Sequence, residues 1–264
     1  MSARSEVRAP TVGGDPVPEV CRIDSGAIIE SVHRGVDDFR AVPTHYVLYG
    51  LVYAVAGLIL VRAAFDAALL PVMFPLVAGF ALIAPTVSVG LFELSRRREQ
   101  GLETRWWHLF GVRRHAAFGP ILALDAILAV LFVVWLAVAS ELYAAVIGAP
   151  PAGLGAFLGQ LVTTAEGWTL ILAGHAVGFV FALAAFVLSA VSFPLLVDRD
   201  IGLKGAIATS VRAVATNPRP MALWAGILAG GLILGSLPLL LGLPVVLPIL
   251  GHASWHVYRR VVRA

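Results

Sequence analysis

His252 and His256 stand four residues apart in the run Gly251-His252-Ala253-Ser254-Trp255-His256-Val257-Tyr258-Arg259-Arg260. On a helix this spacing puts both imidazoles on one face, where neutral rings can share a divalent metal or offer an axial ligand to haem. Glu93 lies three residues before Arg96-Arg97, as His256 lies three before Arg259-Arg260, and would be the third donor of a metal or proton site. The competing reading is neutralisation. Glu93, Asp125 and Asp198 are close in sequence register to a belt of Arg96, Arg97, Arg199, Arg259 and Arg260, and the imidazoles would then bond to carboxylates or carbonyls. Two histidines at this spacing, without third and fourth ligands, make a weak metal motif. Farther from the arginines, Glu141 and His175 are placed to hydrogen-bond between neighbouring antiparallel helices. Pro85 and Pro248 interrupt their segments at matching positions, eleven residues before Arg96 and Arg259 respectively. Helix breaks at matched positions mark binding sites in transporters, and equally serve as packing kinks.

These residues need helices to carry them, and the helices must sit in lipid. The 264 residues are 59% hydrophobic and 13% charged, with mean hydropathy +0.89, whereas a soluble domain carries roughly 25% charged residues. Six apolar runs have the length, or nearly the length, of a bilayer-crossing helix of about 20 residues: Tyr46–Phe65, Leu69–Phe92, Ile121–Tyr143, Thr169–Val197, Met221–Leu241 and Leu243–Tyr258. None alternates as a membrane strand would, and lipid leaves the backbone no partner outside a helix. The predicted fold is therefore all-α, with six transmembrane helices.

Of the 19 Lys and Arg residues, all but Arg62 fall before the first run, between the second and third, between the fourth and fifth, or after the sixth. Basic residues favour the cytoplasmic side, so both termini are expected in the cytoplasm of a bacterial inner membrane. The same rule explains the sequence pI near 9.4 without nucleic acid, and no basic strip with interleaved aromatics is present. The arginine-rich connection with Trp106-Trp107 would meet anionic lipid or a protein partner. Cys21 is the single cysteine and excludes an intrachain disulfide. Phosphate-loop, dinucleotide, zinc-protease and nucleophile-elbow signatures are all absent, which argues against an enzyme.

Residues 1–22, with Pro10, Gly13, Gly14, Pro16 and Pro18, read as a disordered tail. Residues 23–43 read as an amphipathic interfacial helix with Ile28, Ile29, Val32, Val36 and Phe39 on its apolar face and Glu30, His33, Arg34, Asp37 and Asp38 directed elsewhere. The transmembrane domain occupies 44–264. A second amphipathic helix covers about 203–215 and ends at Asn217-Pro218. The two share Ala-Ile-x-x-Ser-Val, at Ala27 and at Ala206, which suggests an internal repeat of elbow helix plus hairpin. A short helix with Leu154, Phe157, Leu158, Leu161 and Val162 is expected on the outer face, and Gly226, Gly230, Gly231, Gly235, Gly174 and Gly178 at helix contacts.

Five stretches carry a family resemblance. They are Arg34-Gly35-Val36-Asp37-Asp38-Phe39-Arg40, PLVAGFALIAPTVSVGLFELSRRRE (75–99), SFPLLVDRD (192–200), AIATSVRAVATNP (206–218) and VVLPILGHASWHVYRR (245–260). Together they resemble the bacterial DUF2189 family of integral membrane proteins, over about Gly35 to Arg260. Members have been labelled cytochrome c oxidase subunits, so the resemblance implies an inner-membrane protein with a respiratory association. A haem–copper catalytic subunit would need twelve spans and six ligand histidines, and only His175, His252 and His256 lie within these runs. The expectation is a non-catalytic scaffold or accessory factor, with a respiratory complex or a second copy as partner. The alternatives are a haem- or metal-binding accessory of cytochrome oxidase biogenesis, using His252, His256 and Glu93, and a small transporter with its site between the Pro85 and Pro248 helices.

Overall fold

The structure is a computed structural model that describes residues 18–41, 55, 59, 62, 66, 69–105, 107–109, 118–148, 152–237 and 240–263. The expected first span apart from residues 55, 59 and 62, the tail before residue 18, Trp106 and Pro238 lie outside the described residues. Among those described there are nine α-helices and no strand. They are α1 (Ser25–Ala41), α2 (Met73–Glu99, preceded by the 3-10 turn Leu70–Val72), α3 (Phe118–Val146), α4 (Leu154–Thr163), α5 (Ala165–Ser189), α6 (Ser192–Asp198), α7 (Gly202–Thr216), α8 (Pro218–Ser236) and α9 (Leu243–Val261).

Among the described residues three stretches are long and apolar enough to cross a membrane: α3, the α5–α6 run Ala165–Asp198, and α8. Their outward side chains fit that role, since Val130, Val133, Leu172, Phe179 and Leu234 are 62–69% exposed. So many bare apolar side chains on successive helices suit lipid and not water. Helices α2 and α9 are different. Each ends in arginines and buries polar side chains in its last turns, and the two pack on each other and on α3 and α8 respectively.

Helix α1 begins where the Asp24 carboxylate caps the Ala27 amide at 2.9 Å, an arrangement that satisfies one of the free amides of a first helical turn. Its buried face is the expected one only in part. Ile28, Ser31, Gly35, Asp38 and Phe39 are buried, while Ile29 is 45% exposed. The helix is rotated so that small and polar residues turn inward, because its main partner is the backbone of α9. A Cβ on Gly35 would stand 2.7 Å from the Ala253 nitrogen and 2.8 Å from the Ile249 oxygen. No larger residue permits that approach.

The chain ahead of α1 is also held. Val20 pairs with Val262, the Cys21 amide donates to the Val261 carbonyl at 2.7 Å, and the Arg263 amide donates to the Glu19 carbonyl at 3.0 Å. Asn217, between α7 and α8, accepts from the Ile23 amide at 2.8 Å and donates to the Cys21 carbonyl at 3.0 Å. Backbone groups of Glu19, Cys21 and Ile23 thus find partners near the C-terminus and at Asn217.

The fourth apolar run is broken rather than continuous. Between α5 and α6 the Val191 amide donates to Ser210 Oγ of α7 at 3.2 Å, and that hydroxyl donates to the Val187 carbonyl at 2.7 Å. Of the glycine pairs, Gly231 and Gly235 face Val246, Leu250 and Leu243 of α9 and Gly178 faces Trp135 and Phe74, whereas Gly174, Gly226 and Gly230 face open space. Near the break, α2, α5, α6, α8 and α9 line a partly open pocket of about 100 Å³.

Gly35→Ala is expected to lower stability by about 1–3 kcal/mol through overpacking, seen as a lower melting temperature in detergent. Gly174→Ala, where the added methyl meets nothing, is expected to leave melting unchanged or raise it slightly.

Candidate functional site

The last turns of α2 and α9 meet α1 at the arginine-rich end, and their polar residues converge on Asp38. Ser95 Oγ donates to Asp38 Oδ2 at 2.6 Å, and His256 Nε2 lies 2.8 Å from the same oxygen. His252 Nδ1 lies 2.7 Å from Ser95 Oγ and 3.9 Å from Asp38 Oδ2. A hydroxyl has one hydrogen, so with Ser95 donating to Asp38 it must accept from His252 Nδ1–H. His256 then carries its proton on Nε2. On the other side of the carboxylate, Arg98 NH1 stands 3.4 Å from Asp38 Oδ1.

Burial opposes ionisation of Asp38. The hydrogen bonds from His256 and Ser95, and the positive potential of His252 and His256, outweigh it and hold the carboxyl below its ordinary value of 3.8. Asp38 is thus an ionised, buried acceptor that ties α1 to both α2 and α9.

Of the two readings its register allowed, Glu93 makes the contacts of a neutraliser. It is 3% exposed, accepts from Arg96 at 2.8 and 3.0 Å, and has Arg97 at 3.9 Å. The structure brings His252 and His256 together and directs Glu93 toward the arginines. Among the described residues no three His, Cys, Asp or Glu side chains are arranged to hold a metal ion. Nor do Ser95, His252 and Asp38 form a nucleophilic relay. The serine sits between the acid and the imidazole, where catalysis needs the imidazole in the middle, and Ser95 is 1% exposed.

The other polar residues of the α9 motif are also engaged. Trp255 Nε1 donates to Glu99 at 3.1 Å, and Arg259 pairs with Glu99 at 3.2 Å and Asp198 at 3.5 Å. Tyr258 donates to Asp198, and Arg260 pairs with Glu30. Gly251 lets α9 approach α2, since a Cβ there would lie 2.5 Å from Leu91. The motif is a docking face for α1, α2 and α6.

Asp125 accepts from Thr86 Oγ at 2.5 Å, a bond between α3 and α2. His175 Nδ1 bonds the Ile171 carbonyl at 2.7 Å and its ring lies 4.8 Å from Phe74. Among the described residues no bond joins it to Glu141, which is exposed. Pro85 lies within α2 beside the pocket, and Pro248 within α9 outside its lining. Sequence reasoning missed Asp38, Ser95 and Thr86. For Asp38 there was a signal: Ser31, Gly35 and Asp38 form one helical stripe of small and polar residues that continues from Ile28.

Residues 73–198, from the start of α2 to the end of α6, match the model of a family described as predicted integral membrane protein (DUF2189). The match covers the α2 arginine cluster, Glu93, Ser95, Asp125 and Asp198, while Asp38 and the two histidines lie on either side of it. No curated protein and no solved structure matches the chain.

Asp38→Ala is expected to strip a buried serine and imidazole of their acceptor and to cost about 2–4 kcal/mol. Because the folded pKa of Asp38 is lowered, its stabilisation is fully present above 3.8 and is lost as pH falls through the folded value. The gap in melting temperature between wild type and Asp38→Asn should accordingly be constant above about pH 5 and shrink below about pH 4.

Proposed function

We propose that this DUF2189 protein is a six-span protein of the bacterial inner membrane with both termini in the cytoplasm. It acts without catalysis, as a scaffold or accessory factor, through its arginine-rich face. One observation carries this reading: the side chains best suited to chemistry at that end are bound to one another. His252 is held by Ser95, His256 by Asp38, and Glu93 by Arg96. The result is a rigid face and not a site open to substrate.

The distribution of arginines supports the orientation, and α1 and α7 fit the role of elbow helices at the cytoplasmic leaflet. On the arginine-rich connection, the Arg105 guanidinium lies 4.8 Å from the centre of the Trp107 ring, and Trp107 is 45% exposed. A cation stacked on an exposed indole suits contact with anionic lipid headgroups beside a protein partner, for which a respiratory complex or a second copy is the expectation.

The absorption spectrum and metal content of the detergent-purified protein, beside His252→Ala and His256→Ala, test this reading. The expected protein is colourless and metal-free, and both variants melt lower, by about 1–3 kcal/mol of lost buried hydrogen bonding. Stoichiometric haem or metal that disappears in both variants would replace the scaffold with a haem- or metal-binding accessory of cytochrome oxidase biogenesis.

A further inference from the structure

The two amphipathic helices, α1 and α7, expose different charge. Helix α7 buries Gly205, Ala206, Thr209, Ser210 and Ala213. Its opposite face, Lys204, Ala208, Val211, Arg212 and Ala215, is exposed, and at 3.6 residues per turn these positions share about a third of the helical circumference. No Asp or Glu occurs in the helix. Asp200 precedes it, and the exposed Arg219 adds a further cation in the first turn of α8. The exposed face of α1 is mixed instead. It carries Glu30, Arg34, Asp37 and Arg40, and Glu30 pairs with both Arg34 and Arg260.

Short connections fix what α7 can meet. Residues 199–201 join it to the membrane-length run Ala165–Asp198, and Asn217 alone joins it to α8. Three extended residues reach about 11 Å at most, so α7 stays at the level where both stretches end. That level is the depth of the headgroups. There the alanines and Val211 can rest on the acyl boundary while Lys204 and Arg212 extend to phosphates. We propose, resting on the orientation given above, that the exposed face of α7 binds anionic phospholipid headgroups through Lys204, Arg212 and Arg219, and that α1 does not share this selectivity. The argument for this occupant is charge complementarity: three cations without an acid on α7 attract a surface of negative lipid, whereas the balanced face of α1 does not distinguish it from a neutral one.

The test uses the full-length protein in phosphatidylcholine vesicles with phosphatidylglycerol as the minority lipid. Cys21→Ser with Ala208→Cys carries a bimane on the exposed face of α7, and its quenching is compared for doxyl-labelled phosphatidylglycerol and doxyl-labelled phosphatidylcholine. Phosphatidylglycerol should quench as if enriched about fivefold, the order expected of a basic residue held near a charged surface. Lys204→Gln with Arg212→Gln and Arg219→Gln should make the two lipids equal while melting at the wild-type temperature, since all three side chains are exposed. Salt at about 1 M, where the screening length falls to about 3 Å, should equalise them in the protein without these substitutions. A bimane at Arg34→Cys of α1 should show no preference. Equal quenching by both lipids at Ala208→Cys overturns the proposal and leaves the orientation standing. Quenching by neither lipid, with iodide quenching in their place, overturns both, because α7 would then lie in water. A preference that survives both salt and the triple substitution, or that is as large at α1, also overturns it.

Discussion

A carboxylate buried at a helix junction must be matched by donors, and at the arginine-rich end Asp38 of α1 imposes that requirement on two other helices at once. Ser95 comes from α2, His256 from α9, and Arg98 from the last turn of α2. A charge left unmatched here would be strongly destabilising, so the register of α1 against α2 and α9 is set by Asp38 as much as by apolar area. Gly35 makes the same contact possible sterically, one turn earlier, by letting α1 lie on the α9 backbone.

The molecule divides into two regimes. At the arginine-rich end the largest side chains, Trp224, Trp255, Tyr258, Phe92 and Phe193, are buried, and most charged groups have partners. Away from it, α3, α5 and α8 present bare valines, leucines and phenylalanines, held together by close ring packing such as Trp135 on Phe181 and Phe74. This asymmetry has a physical cause. In lipid there is little to gain from burying an apolar side chain, so specificity comes from small-residue contacts and hydrogen bonds. Near the headgroups, charges can be included and used as fasteners.

The α5–α6 break shows a third element of the design. A long apolar run interrupts itself at Ala190–Val191 because Ser210 of α7 captures both an amide and a carbonyl of the bend. The break turns α6 back into the core, where Asp198 reaches Tyr258 and Arg259. Helix α7 is thus tied to the main body through hydrogen bonds as well as through an apolar face.

Much of this was legible in the amino-acid sequence. Apolar content and run length determined the helical class and the membrane setting, because both follow from local hydropathy and backbone satisfaction. The α9 motif could be singled out, since its polar residues share helical faces. The partners could not be seen. Register left Glu93 between the histidines and the arginine belt, and the arginine three residues away on its own helix is the partner it pairs with. Asp38 was placed on the outer face because hydropathy alone defined the inner one, and the inner face proved to be small and polar. Hydropathy and spacing are properties of single helices and are written in the chain. Which carboxylate meets which imidazole depends on the rotation of one helix against another, and that is decided only when the helices pack.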